Sequence, residues 1–158
     1  MMLDHTNKNL NLEAKATLDP TIEFPQPLSK NSRNPKSIFL TGSTGFLGAY
    51  LLVELLAKTT ANVYCLVRSS DVESASSLLN RIEKNLEFYF LWQENFASRI
   101  IPIVGDLSLP LLGIYPEKFD QLAGKIDVIY HNGAWVNSAC PYSTLEATNV
   151  LGTQEVLR

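Results

Sequence analysis

No apolar stretch in this 158-residue chain approaches the roughly 18–20 residues of a membrane-spanning helix, and that excludes a transmembrane reading. The first eleven residues are polar and contain no apolar core of a signal peptide. Runs of Lys and Arg are missing too, and the net charge is −3, so nothing here forms the basic face that nucleic acid needs. There are two cysteines, Cys65 and Cys140, far apart and without metal-ligand spacing. A disulfide framework and a cysteine-based metal site are thereby excluded, and no metal is expected. Cys65 lies in an apolar run and reads as a small buried hydrophobe. These absences make a reducing cytoplasm the default location. With 46% hydrophobic and 18% charged residues, the chain suits one globular domain with a real core.

The most informative segment is Ser37-Ile38-Phe39-Leu40-Thr41-Gly42-Ser43-Thr44-Gly45-Phe46-Leu47-Gly48. An apolar run ends in Thr-Gly, three glycines follow at three-residue spacing, and an apolar helix begins. A parallel sheet hands a dinucleotide's pyrophosphate to a helix N-terminus in this way. Gly42 suits the tight turn off the strand, Gly45 a close backbone approach to phosphate, and Gly48 close packing of helix on sheet. The spacing is G-x-x-G-x-x-G, not G-x-G-x-x-G, so the flanking strand and helix carry much of the signal. A merely structural glycine turn is the competing reading.

Residues 1–36 differ in composition, with prolines at 20, 25, 27 and 35. They read as a mobile tail, with a short helix near residues 10–18, followed by an extended linker. From residue 37 to 158, strand and helix alternate. Strands are expected at 37–41, 62–67, 99–104 and 126–130. Helices are expected at 45–58, from 71 to about 96 (with Leu78, Ile82, Leu86 and Tyr89 as its buried stripe), at 116–123 and at 142–158. Pro102 inside the third strand has no N–H to donate, which implies a backbone nitrogen that faces away from a partner strand. The sheet core is assigned to Ile38, Leu40, Val63, Leu66, Ile103, Val104, Val128 and Ile129. The order predicts an α/β domain, a doubly wound parallel sheet cut after about four strands. The last helix reaches Arg158 with no stop signal, which reads as the front part of a longer protein; a small intact domain with a frayed helix is the alternative.

Four strand-end features carry chemistry. Arg68 follows strand two, where an acid would grip the ribose 2′-hydroxyl of NAD and a base accommodates the 2′-phosphate of NADP; Asp71 comes too late to act as that acid. The alternative is an ordinary solvated arginine. After strand three, Asp106 in Gly105-Asp106-Leu107 can accept from an adenine amino group or satisfy local turn amides. After strand four, Asn132 can bridge neighbouring loops, and Gly133 and Ala134 are small enough to pass under a cofactor. His131 reads as structural, since no carboxylate, Ser or Cys motif pairs with it. Within the last helix, Asn149 and Gly152 are both poor helix formers, which predicts a local distortion or a close approach; an exposed polar residue is the plainer account of Asn149.

Together these motifs resemble the extended short-chain dehydrogenase/reductases. More closely, the chain is similar to the thioester reductase domains of nonribosomal peptide synthetases, polyketide synthases and carboxylic acid reductases. The likeness rests on Thr41 to Leu52, on Val63-Tyr64-Cys65-Leu66-Val67-Arg68, on Val104-Gly105-Asp106-Leu107-Ser108, and on Ile129-Tyr130-His131-Asn132-Gly133-Ala134-Trp135-Val136-Asn137. Leu18-Asp19-Pro20-Thr21-Ile22 resembles the linker that precedes such domains. The resemblance implies a Rossmann-like fold and NADPH as cofactor. It implies that Gly42, Thr44, Gly45, Phe46, Leu47 and Gly48 form the pyrophosphate loop, that Arg68 binds the 2′-phosphate, and that Asp106 and Leu107 flank the adenine. It further implies that Asn132, Gly133 and Ala134 line the cofactor and that Asn149 supports the active-site lysine through water. The implied partner is an acyl- or peptidyl-carrier protein with a phosphopantetheine arm, whose thioester is released as aldehyde or alcohol.

The family's Tyr-x-x-x-Lys pair and its upstream Ser/Thr do not occur here: Tyr142 is followed four residues on by Glu146, Tyr64 by Arg68 and Tyr89 by Gln93. The resemblance therefore covers a cofactor-binding half. Two rival readings are a nucleotide-sugar epimerase or dehydratase of the same superfamily, disfavoured by Trp135-Val136-Asn137, and an inactive nucleotide-binding or redox-sensing fragment.

Overall fold

The computed structural model describes residues 15–23, 32–69 and 74–158. Four strands, β1 (Ser37–Thr41), β2 (Asn62–Val67), β3 (Ile100–Val104) and β4 (Val128–His131), form one parallel sheet in the order β3-β2-β1-β4. The chain thus lays down β1, β2 and β3 outward in one direction, then crosses back to place β4 on the far side of β1. That reversal is the topological switch point of a doubly wound sheet, where the loops after β1 and β4 diverge and leave a crevice.

Alternation along the strands separates two cores. Ile38, Leu40, Val63, Cys65 and Val67 face α1 (Phe46–Lys58) and α2 (Ala75–Phe88), meeting Leu52, Leu56, Leu78, Ile82 and Leu86. On the other face, Phe39, Tyr64, Leu66 and Ile103 pack with Leu112, Ile114 and Val156. Burial pushes the Cys65 thiol up to about 12, in keeping with an inert core residue. Pro102 on β3 registers with Cys65 on β2; among the described residues β3 has no second neighbour, so the missing N–H interrupts no ladder on its outer edge.

Three expected core positions are corrected, one of them Val128, which is half-buried and joins neither core. Val104 is 40% exposed and Ile129 47% exposed. Both lie on edge strands, and among the described residues no element covers those side chains; alternation tells which face a residue takes, not whether a second layer lies over it.

The expected helix from 71 to about 96 is also shorter. Residues 70–73 lie outside the described residues; α2 begins at Ala75, capped by Ser74, whose Oγ accepts from the Ser77 amide at 3.2 Å. It ends in a Schellman turn: the Phe90 amide donates to Glu87 O (2.9 Å) and the Leu91 amide to Leu86 O (2.9 Å), with Phe90 at φ 58°. A separate 3₁₀ turn, Glu94–Arg99, then leads into β3. There Arg99 extends its guanidinium to the C-terminal end of α1, donating to the carbonyls of Leu56 (2.5 Å), Thr59 (2.9 Å) and Ala61 (3.3 Å).

Further on come a turn at Pro110–Gly113, α3 (Pro116–Ala123), and a final helical stretch in three parts: α4 (Tyr142–Glu146), a π-turn (Ala147–Leu151) and α5 (Gly152–Leu157). The short helix expected near 10–18 lies largely outside the described residues. Of the preceding segment, residues 15–23 sit on the last helices through Lys15–Glu146 and Asp19–Arg158 ion pairs, with Ile22 buried at 7% exposure.

Candidate functional site: a strand-end cleft

A cleft of about 680 Å³ opens at the carboxyl ends of the strands. Its floor is the glycine loop between β1 and α1, and the three glycines have three different reasons. Gly42 leaves β1 at φ 74°, and a Cβ there would lie 2.8 Å from the Gly133 backbone. A Cβ on Gly48 would overlap the Gly42 carbonyl, so this glycine lets the helix close on its own loop, not on the sheet as the spacing suggested. Gly45 is different. Its φ of −95° and ψ of 173° suit any residue, and a Cβ would meet only Gly42 O, at 3.5 Å. The protein's own packing does not demand this glycine; the space it leaves open belongs to the cleft.

Gly45 is also the N-cap of α1, with no side-chain cap and no acid in the first turn. The amides of Phe46, Leu47 and Gly48 therefore have no intrahelical acceptor, at the positive end of the helix dipole. All three residues line the cleft. Phe46 is fixed by edge-on contacts of its ring with Tyr50 and Tyr89, at 5.3 and 5.5 Å between centroids. An open cradle of uncapped amides beside a glycine fits a pyrophosphate.

The walls come from the other strand ends. Arg68 lies exposed beyond β2, its carbonyl accepting from Arg81 Nη1 at 2.9 Å. Asp106 Oδ1 accepts from both the amide (2.8 Å) and hydroxyl (2.7 Å) of Ser108, so the turn-forming alternative is realised while the residue still lines the cleft. Leu107 wedges between Gly133 and Gly152: a Cβ on Gly133 would lie 2.7 Å from Leu107 Cδ1, and one on Gly152 would overlap the Leu107 carbonyl. After β4, Asn132 Nδ2 reaches Gly42 O at 3.4 Å, bridging the two diverging loops. Thr44 and Ala134 complete the set; all twelve residues assigned to the cofactor from the sequence border this one cleft.

Asn149 does not border it. It sits in the π-turn, where the chain carries one extra residue per turn, and its side chain grips the Trp135 backbone: Oδ1 accepts from the Trp135 amide (2.8 Å) and Nδ2 donates to its carbonyl (2.9 Å). Both expected effects, distortion and close approach, thus occur, the second at Gly152.

Sequence reasoning missed Leu66, Gly105, Trp135, Val136 and Thr148 as lining residues. It also missed Thr41, which appeared only as a strand end. Thr41 Oγ1 receives the amides of Asn132 (3.1 Å) and Gly133 (2.8 Å) and lies 2.8 Å from His131 Nδ1. His131, read from the sequence as structural, sits between Thr41 and Thr153, its Nε2 3.1 Å from Thr153 Oγ1, and burial pushes its pKa below the ordinary imidazole value. Among the described residues no cluster of His, Cys, Asp or Glu could hold a metal ion, and no helix is long and apolar enough to cross a membrane.

A parallel sheet reversing at β1, an uncapped helix N-terminus and a glycine cradle define a nicotinamide-dinucleotide-binding domain of Rossmann type. Comparison with known proteins agrees. The NAD-binding family described as "Male sterility protein" matches residues 40–158, and the chain belongs to it. It is 48% identical over 147 residues to a linear gramicidin synthase of Brevibacillus parabrevis, covering 93% of this chain and 3% of that protein. It is 39% identical over 138 residues to L-2-aminoadipate reductase of Saccharomyces cerevisiae, covering 85% of this chain and 10% of that protein. Among solved structures, the terminal R domain of the myxalamid PKS-NRPS biosynthetic pathway superposes with a TM-score of 0.85 at 49% identity, covering 93% of this chain and 37% of that one. The chain thus spans a small fraction of the two curated relatives and somewhat over a third of one reductase domain.

Proposed function

We propose that this chain is the NADPH-binding portion of a cytoplasmic reductase that releases acyl or peptidyl groups from a carrier protein. The substrate is a thioester on a phosphopantetheine arm, and the product an aldehyde or alcohol. The observation that carries the reading is the Gly45 cradle, a cavity edge that the protein's packing leaves empty beside three unpartnered helix amides. The similarity to a gramicidin synthase, an aminoadipate reductase and a terminal R domain supports the substrate class.

When bound, the dinucleotide supplies hydride to the thioester carbonyl. The chain's own residues hold and orient. The amides of Phe46, Leu47 and Gly48 would hold the pyrophosphate. Arg68 would pair with the 2′-phosphate, and no acid follows β2 within the described strand end to select a free ribose. Leu107 and Gly133 shape the wall, and Asn149 holds Trp135 in place. A proton donor for the carbonyl oxygen is not among these groups, because no tyrosine here has a lysine four residues on.

Calorimetric titration of wild type and Arg68→Ala with NADPH and NADH tests the proposal. Wild type favours NADPH, and the variant loses that preference by about 10- to 150-fold, the equivalent of one charge-assisted contact of roughly 1.5–3 kcal/mol. An unchanged preference removes Arg68 from the site; absence of binding by either dinucleotide refutes the cofactor reading.

A further inference from the structure

The groups around His131 can be assigned proton by proton. Thr41 is fully buried. Its hydroxyl oxygen has two lone pairs and one proton. The amides of Asn132 and Gly133 both donate to it, at 3.1 and 2.8 Å, and occupy both lone pairs. Its proton is left for His131 Nδ1, 2.8 Å away. Nδ1 is therefore the acceptor, and the neutral imidazole carries its hydrogen on Nε2. That hydrogen points at Thr153 Oγ1, at 3.1 Å, and the Thr153 hydroxyl donates in turn to Asn149 O, at 2.7 Å. Asn149 then returns to the exit segment through its side chain, holding both backbone groups of Trp135.

The result is a closed circuit: amides of Asn132 and Gly133, Thr41, His131, Thr153, Asn149, and back to Trp135. It fixes residues 132–135 at both ends and joins three elements that the chain separates widely, the end of β1, the end of β4 and the π-turn. Every donor in it has one acceptor, and reversing the ring would leave Thr41 with three donors and no free lone pair.

We infer that His131 is a positioning residue, held as the Nε2–H tautomer, whose role is to lock residues 132–135 into the wall of the dinucleotide cleft and to couple that wall to Asn149. This rests on the reading of the cleft as a nucleotide site, but the circuit itself is a property of the nucleotide-free chain.

The test has three readings. Ring ¹⁵N spectra of the wild-type chain should show His131 as the Nε2–H tautomer; an Nδ1–H tautomer, or an even mixture, overturns the assignment without any variant. Amide hydrogen exchange at Asn132, Gly133 and Trp135 should speed up roughly three- to tenfold in His131→Phe, the loss of about one hydrogen bond at each end of the circuit, while amides of β2 keep their protection. His131→Gln, which retains a donor that reaches toward Thr153, should recover part of the Trp135 protection. Should the Phe variant not fold, the Gln variant and Thr153→Ala report the same Trp135 amide. Uniform acceleration across the sheet, or no change at these three amides, overturns the positioning role. In parallel, NADPH affinity of the Phe variant should fall by roughly three- to tenfold. If wild type binds no NADPH, the nucleotide reading fails alone, and the tautomer and exchange still decide the circuit. If wild type binds and the variant with loosened amides binds equally well, the circuit does not serve the cleft and the inference falls.

Discussion

The decisive perturbation of the cofactor cradle is Gly45→Val, because structure and binding should respond to it in opposite degree. The backbone at Gly45 lies at φ −95° and ψ 173°, which a β-branched residue adopts without strain, and a Cβ finds only Gly42 O at an ordinary 3.5 Å. Two small effects on stability oppose each other. Losing a glycine stiffens the unfolded chain and stabilises by about 0.4–1 kcal/mol. Glycine is a better N-cap than valine, and its loss costs a similar amount, roughly 0.5–1 kcal/mol. The net is near zero, so the melting temperature should move by no more than about 2 °C. Binding should collapse. The new side chain projects into the space where phosphate approaches the amides of Phe46, Leu47 and Gly48. Losing two hydrogen bonds to charged oxygens, each worth roughly 1.5–3 kcal/mol, weakens binding by about 3–6 kcal/mol, or a hundred- to ten-thousand-fold. Circular dichroism melts and calorimetric titration with NADPH measure the two quantities. Gly48→Val is the control that should unfold, since its Cβ overlaps the Gly42 carbonyl. A folded Gly45→Val protein with undiminished affinity would refute the cradle.

Other expectations follow from features away from the cradle. Phe90 is 96% exposed and sits at φ 58°, so Phe90→Gly should relieve about 1 kcal/mol of left-handed strain and raise the melting temperature by roughly 2–4 °C; an unchanged or lower value refutes this. Arg99→Met removes the donor shared by three carbonyls at the end of α1 and should destabilise by about 2–3 kcal/mol, seen as a lower urea midpoint at constant m. The chain as given should not oxidise NADPH in the presence of acyl-phosphopantetheine thioesters above a protein-free blank, because it has no Tyr-x-x-x-Lys; thioester-dependent turnover would show a different proton donor.

The sequence was most legible where local chemistry alone decides. β1 and β2 occupy the expected residues, because each is a short apolar run closed by a turn or an arginine. The glycine loop was readable for the same reason. The end of α2 was not. Phe88, Tyr89, Phe90, Leu91 and Trp92 continue an apolar pattern, and nothing in it marks Phe90 as a left-handed residue in a place that glycine usually fills. Val104 and Ile129 alternate correctly yet stay exposed, since coverage depends on a neighbouring layer and not on the strand. In the site, each lining loop was found by composition, but Thr41 was not. Its partners, His131, Asn132 and Gly133, lie about ninety residues away in the chain, and no periodicity reports such a meeting. Asn149 was found as an anomaly in a helix, while its grip on Trp135 required the fold.

The crossover that puts β4 beside β1 also sets how far apart in the chain the two sides of the cleft lie. β1 pairs with β2 and β2 with β3, each a neighbour in sequence. Ile38 meets Val128 only after a long loop has closed, and closing such a loop is among the slower steps in folding. The two walls of the cleft thus belong to segments about ninety residues apart, the glycine loop after β1 and residues 132–135 after β4. A ligand that touches both would bridge that junction and oppose its opening.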